Sequence, residues 1–169
     1  IENGNGNAIC LCTFETTWTY QQLFEKANQI AHVLVDDLGL KSGNRVLIRS
    51  ANNPMMVACW YAILKAGGIV VATMPLLRAK ELTTFIDCAE ISHALCDIDL
   101  EEEMKLVKSP FLKSICYFDC LEASVSELEN LMQNKPKSFA NFHSKSDSVA
   151  LIGFTSGTTG LPKMTAHYH

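Results

Sequence analysis

Residues 55–77 read MMVACWYAILKAGGIVVATMPLL, an apolar run whose one charged residue is Lys65. Its length would suffice for a bilayer span. In a span, however, Lys65 would sit near mid-membrane at a cost of about 2.5–3.5 kcal/mol. The Gly67-Gly68 pair interrupts the run, and Pro75 lies near its end. The pattern is better read as a buried helix that Pro54 opens and that runs to about Ala66. A glycine stop and a continuous apolar strand, Ile69–Thr73, follow.

The same alternation extends in both directions. Upstream, residues 8–14 read as a first strand, and Thr19 with Gln22 forms a T-x-x-Q capping box that starts a helix. Leu23, Ala27, Ile30, Ala31 and Leu34 follow at helical spacing, and Gly39 ends that helix. A Ser42-Gly43-Asn44 turn leads into a short strand, Arg45–Arg49. Downstream, helices are expected over 78–89, 100–107 and 125–132, with strands at His93–Asp97 and Ser114–Phe118 between them. Residues 134–147 are polar and read as a linker or long loop. Residues 148–154 read as a final buried strand. Near-continuous apolar strands alternating with helices predict an α/β fold with a largely parallel sheet flanked by helices. Ligands of such sheets sit beyond the carboxyl ends of the strands.

Composition narrows the function. With 48% hydrophobic and 19% charged residues among 169, the chain is neither disordered nor fibrous. The net charge of −4 is spread along the chain, and no basic run with interleaved aromatics suggests nucleic acid. The seven cysteines form no CxxC, and several lie in apolar runs as small buried hydrophobes. A reducing, cytoplasmic setting and no metal site are the expectations. The chain opens on a polar ENGNGN stretch after Ile1 with no signal-peptide pattern, and no membrane span is expected.

The chemistry is carried by Thr155-Ser156-Gly157-Thr158-Thr159-Gly160-Leu161-Pro162-Lys163, which runs straight out of the last strand. Glycines let the backbone bring N–H groups close to a ligand. Four hydroxyls can rotate toward phosphate oxygens, Lys163 adds a point charge and Pro162 stiffens the exit. The natural guest is an ATP-like polyanion. A Walker loop needs Gly-Lys adjacent, and here Leu-Pro separates Gly160 from Lys163; the GxGxxG fingerprint is also absent.

The run FTSGTTGLPK resembles the signature phosphate loop of the adenylate-forming (AMP-binding) superfamily, which includes acyl-CoA synthetases, peptide-synthetase domains and luciferases. WTYQQL at 18–23 resembles that superfamily's early T-Y-x-E-L, with Gln22 in place of Glu. Leu64-Lys65-Ala66-Gly67-Gly68, continuing to Met74-Pro75-Leu76, resembles its L-K-A-G helix–strand element. Within the superfamily, NNPMMVACWYAILKAGGIVVATMPLLRAKEL and ISHALCD look closest to the benzoate and 2-aminobenzoate CoA ligase branch. The ending KMTAHYH fits that branch's two histidines, although Met164 replaces a small residue and is familiar from medium-chain acyl-CoA synthetases.

The resemblance implies that residues 1–169 are a partial adenylation domain, the amino-terminal part of a large domain, truncated after the phosphate loop. It implies activation of a carboxylic acid, aromatic in this branch, with ATP, Mg2+ and CoA, to an acyl-adenylate and then a thioester. Thr155, Ser156, Gly157, Thr158, Thr159, Gly160 and Lys163 are the expected phosphate-binding residues. His167 and His169 are substrate-side candidates. Catalytic residues are expected downstream of His169, so the 169 residues alone should form no acyl-CoA. Other readings are a medium-chain acyl-CoA synthetase, an amino-acid-activating domain or a non-catalytic interaction module. Trp60 and Tyr61 read as core, and Glu101, Glu102 and Glu103 as a solvated first helical turn.

Overall fold

A computed structural model of the chain describes residues 1, 4–14, 16–119, 126–155 and 162–169. The first elements are β1 (Ile9–Cys12), β2 (Thr17–Thr19), α1 (Tyr20–His32), β3 (Arg45–Arg49), α2 (Pro54–Lys65) and β4 (Ile69–Thr73). Then come α3 (Ala79–Ala89), β5 (His93–Asp97), α4 (Glu101–Lys105) and β6 (Ser114–Phe118). The described chain ends with α5 (Glu127–Met132), β7 (Val149–Thr155) and β8 (Lys163–Tyr168).

Local chemistry sets the helix ends. Gln22 N–H donates to Thr19 Oγ1 at 3.2 Å and Thr19 N–H donates to Gln22 Oε1 at 2.8 Å, so the capping box starts α1 as expected. At the other end α1 widens into a π turn, Val33–Asp37, before Gly39 turns the chain at φ 70°. Asn53 caps α2 by accepting Met56 N–H at 2.8 Å, with Pro54 in the first turn. At the end of α2, Gly68 N–H reaches Ile63 O at 2.8 Å and Gly67 N–H reaches Leu64 O at 3.0 Å, a Schellman closure. Gly67 supplies the left-handed residue at φ 79°. The 55–77 run is therefore a helix, a stop and a strand. Among the described residues no helix is long and apolar enough to cross a membrane.

Six strands pair in the order β6-β5-β3-β4-β7-β8. The first five are mutually parallel, and β8 turns back antiparallel to β7. The chain enters at the middle: β4 joins β3 on one side, β5 and β6 build outward on the other, and β7 returns beside β4. One face packs Ile30, Leu34, Ile63 and Leu128 of the α1, α2 and α5 region against Ile48, Val70 and Leu95. The other packs Leu82, Ile86 and Met104 of α3 and α4 against Leu47, Val71 and Ala94. Helices cover both faces, as a parallel sheet requires.

Several expectations need correction. The strand expected over 8–14 is only Ile9–Cys12, and it pairs with β2 in a separate two-stranded antiparallel sheet. The helix expected over 100–107 is a 3-10 turn, Ile98–Leu100, followed by α4; Asp97 Oδ1 accepts Asp99 N–H and starts the turn early. The helix expected over 125–132 begins only at Glu127, because Ser126 is extended as its N-cap; residue 125 lies outside the described residues. The last strand is half-buried rather than buried, because β8, exposed along its length, is all that flanks it on one side. Tyr61 is 49% exposed, whereas Trp60 is partly buried against the core. Glu103 is not merely solvated: its Oε2 accepts the Ala79 N–H at 2.7 Å, at the start of α3.

The polar segment 134–147 has no helix or strand, but it is strapped to α1. Asn28 Nδ2 donates to Lys137 O at 2.7 Å, Gln29 Nε2 to Lys135 O at 3.1 Å, and Lys137 pairs with Glu25 at 2.7 Å. Polar side chains on the outer side of α1 thus satisfy backbone carbonyls that a solvent loop would leave to water.

Candidate functional site at the β7–β8 hairpin

Parallel pairing brings the carboxyl ends of β3, β4, β5, β6 and β7 to one edge of the sheet. Thr155 ends β7 on that edge and is exposed. Lys163, also exposed, begins β8 as the register partner of Thr155, and Thr155 Oγ1 donates to the Lys163 carbonyl at 3.5 Å. The hydroxyl- and glycine-rich run therefore starts and ends side by side at the ligand-binding edge of an α/β sheet. Ser156, Gly157, Thr158, Thr159, Gly160 and Leu161 lie outside the described residues.

Alternation along β8 sorts its side chains. Lys163, Thr165 and His167 share the face of Leu151, Gly153 and Thr155. Thr165 Oγ1 lies 3.3 Å from Gly153 O and 3.4 Å from His167 Nε2. A Cβ on Gly153 would meet Thr165 Oγ1 at 3.2 Å, so the missing side chain is what lets this polar pair lie close over β7. His169 falls just past β8, and its N–H donates to Ser148 O at 3.2 Å. The two histidine candidates are thus held differently, His167 within the ladder and His169 at its end. Among the described residues, no group of three or more His, Cys, Asp or Glu is arranged to hold a metal ion.

The edge also carries a buried polar set that the sequence reading passed over. Arg49 closes β3 at 2% exposure, and its Nε donates to Leu100 O at 3.4 Å. Its Nη1 and the hydroxyl of Thr73, its register partner on β4, find no hydrogen-bond partner among the described residues. Beside it Asn53 Nδ2 donates to Ser50 Oγ at 2.7 Å, and the Ser50 hydroxyl lies 3.2 Å from Asp97 Oδ2. With β4 between β3 and β7, Arg49 stands roughly 10 Å from the end of β7 by ordinary strand spacing. The same edge holds the buried carboxylates of Asp97 and Asp119, so Arg49 sits in a buried polar set of mixed charge. The signal was present in RVLIR, where a second arginine closes the apolar V-L-I run.

Of the expected phosphate-binding residues, Thr155 and Lys163 are the two that the described structure brings together, a hydroxyl and an ammonium side by side at this edge. The sequence pattern of the family described as "AMP-binding enzyme" matches residues 2–169. The chain belongs to the AMP-binding enzyme family. Among relatives of this AMP-binding chain is the uncharacterized acyl–CoA ligase YtcI of Bacillus subtilis (strain 168), 28% identical over 155 residues. That match covers 92% of this chain and 29% of YtcI, so the chain spans less than a third of the relative's length. Solved structures show the same fold. ATP-bound MatB from Rhodopseudomonas palustris superposes with a TM-score of 0.87 at 23% identity, over 98% of this chain and 33% of MatB. The anthranilate CoA ligase AuaEII in complex with anthranoyl-AMP also gives 0.87, at 21% identity, over 98% of this chain and 32% of that one.

Proposed function

We propose that residues 1–169 are the amino-terminal part of the adenylation domain of a carboxylate–CoA ligase. Thr155, Ser156, Gly157, Thr158, Thr159, Gly160 and Lys163 hold the β- and γ-phosphates of the substrate ATP, accompanied by Mg2+. The observation that carries this reading is the register of Thr155 opposite Lys163 at the carboxyl edge of the sheet. It supports a phosphate-gripping run at that edge, and family membership supports activation of a carboxylic acid to an acyl-adenylate. In the first step a substrate carboxylate oxygen bonds to the α-phosphorus while the bond from that phosphorus to its bridging oxygen breaks and pyrophosphate leaves. In the second, the CoA thiol loses its proton and its sulfur bonds to the acyl carbon, releasing AMP. One anion must approach another in the first step, so charge neutralisation and in-line positioning dominate it.

The substrate class we infer is an aromatic carboxylate such as benzoate or 2-aminobenzoate. The support is the resemblance of residues 52–82 and of ISHALCD to that branch, with His167 on the face of Lys163 as the substrate-side candidate. Met164 favours a medium-chain alkyl acid instead, and its side chain lies on the opposite face from Lys163 and His167. Pyrophosphate exchange by the full-length protein, with aromatic acids, medium-chain fatty acids and amino acids in parallel, tests both levels. Exchange that depends on an aromatic carboxylate is expected. Exchange with medium-chain acids alone would move the substrate class, and none with any carboxylate would overturn the function.

A further inference from the structure

Two helical stripes that contribute nothing to the β7–β8 hairpin face one another across a cavity of about 540 Å³. Tyr20, Leu23, Phe24 and Ala27 recur at i, i+3, i+4 and i+7 along α1, and Tyr61 and Lys65 at i and i+4 along α2. Tyr20, Phe24 and Tyr61 are 50%, 39% and 49% exposed, so three large rings present open area to one groove. The volume falls within the range of about 300–1,000 Å³ typical of small-molecule sites.

Lys65 gives the groove its polarity. Its Nζ stands 4.7 Å from the centroid of the Phe24 ring, and among the described residues no carboxylate pairs with it. Lys105, Lys135 and Lys137, by contrast, each hold a carboxylate. Burial pushes the Lys65 ammonium below its ordinary pKa, the mark of a cation that has lost water without gaining a counter-ion. A ring face offsets only part of that loss.

We propose that the α1–α2 groove binds a small amphipathic anion, with an aromatic or alkyl body packed on Tyr20, Phe24 and Tyr61 and a single negative head on Lys65 Nζ. A neutral ligand would leave Lys65 unpaired, and a cation would be repelled by it. A multiply charged anion would find one counter-charge and apolar walls. The tyrosine hydroxyls add donors that suit an oxyanion head. This site goes beyond the adenylation reading and needs neither ATP nor catalysis.

The test is fluorescence titration of the full-length protein with 1-anilinonaphthalene-8-sulfonate and with its neutral analogue N-phenyl-1-naphthylamine. Variants are Lys65→Met, Lys65→Arg and Tyr61→Ser, each checked for an unchanged unfolding midpoint. Saturable sulfonate binding is expected, weakened by about tenfold or more in Lys65→Met, the scale of a lost charged hydrogen bond, and largely restored in Lys65→Arg. The neutral dye should respond to Tyr61→Ser and ignore Lys65→Met. Sulfonate binding that Lys65→Met leaves unchanged, or no saturable binding in the wild type, would overturn the proposal.

Discussion

The rings of Phe85 and Phe154 lie 4.2 Å apart between centroids and 7° from parallel, joining α3 to the strand that delivers Thr155 to the sheet edge. β7 is flanked on one side only by the exposed β8, and this stack ties it to the helical layer alongside the packing of Leu151 and Ile152. Phe85→Leu keeps an apolar side chain but removes one ring, and aromatic pairs contribute about 0.5–1.5 kcal/mol beyond their buried area. The variant should lower the free energy of unfolding by about that amount, seen as a lower urea midpoint with an unchanged m-value. Amide exchange should quicken in β7 before it does in β3. An unchanged midpoint would show that the stack contributes nothing.

Two helices end on the same backbone motif with different residues at the left-handed position. Gly67 follows α2 at φ 79°, and Glu90 follows α3 at φ 47°. A Cβ on Gly67 would lie 2.7 Å from Phe142 Cγ, so Gly67→Ala adds a clash to a left-handed strain of about 1–2 kcal/mol. It should destabilise by more than about 2 kcal/mol in chemical unfolding and free Phe142, whose N–H is held by Lys65 O at 2.8 Å. Glu90→Gly relieves comparable strain but loses the exposed ion pair with Arg45 at 2.9 Å, worth about 0–1 kcal/mol. That variant should lie within about 1 kcal/mol of the parent. Equal losses from the two changes would refute the distinction.

The contrast also shows what could be read from residues. Gly67-Gly68 announced the end of α2 because glycine's freedom is encoded in its type, and Thr19 with Gln22 announced the start of α1 for a similar reason. Glu90 carries no such label; its left-handed turn is held by Arg45, which also donates to Ala89 O at 2.7 Å from a distant strand. Burial that arises from remote partners was hidden likewise. Tyr61 sits in an apolar run, yet faces the groove because α2 turns that side toward α1 rather than toward the sheet. Arg49 is polar by type, and only strand order shows that it lies near the end of β7. The run from Thr155 to Lys163 was readable as a candidate phosphate binder beyond the carboxyl end of its strand, while the strand order that sets β7 beside β4 required the topology.

Three buried thiols make the fold sensitive to alkali. Burial pushes the Cys96 thiol up to about 12, and likewise raises Cys59 and Cys116, against an ordinary value of 9.0. Below about pH 9 these thiols are protonated in both folded and unfolded chains and contribute no pH dependence. Above it the unfolded chain releases protons that the folded chain keeps, so stability falls by about 1.4 kcal/mol per pH unit for each such thiol. For Cys96 the window runs from pH 9.0 to about 12. Cys96→Ala should therefore flatten the decline of stability between pH 9 and 10.5, measured by urea unfolding beside the parent. An identical slope would mean that Cys96 ionises freely in the folded chain. At pH 8, exposed Cys12 and Cys88 should react with a thiol reagent before Cys59, Cys96 or Cys116.

The sharpest test of the proposed function separates the two half-reactions. If Thr158 and Thr159 donate to the β- and γ-phosphates, their hydroxyls matter only while those phosphates are present. Losing one donor to a charged acceptor costs about 1.5–3 kcal/mol, on the order of ten- to a hundredfold in rate when expressed in the transition state. Thr158→Ala and Thr159→Ala in the full-length protein should slow carboxylate-dependent pyrophosphate exchange by that factor. CoA consumption from supplied acyl-adenylate should stay near the parent rate, because pyrophosphate has already left. Gly157→Val should be harsher in the first assay, since a branched side chain restricts the backbone and blocks its approach to phosphate. Thr155 offers an internal control. Its hydroxyl is turned to the Lys163 carbonyl at 3.5 Å, a weak bond it can exchange for a phosphate oxygen, so Thr155→Val should fall between Thr158→Ala and the parent. Equal loss in both assays would assign the threonines to folding, and no loss in either would remove the run from the phosphate site.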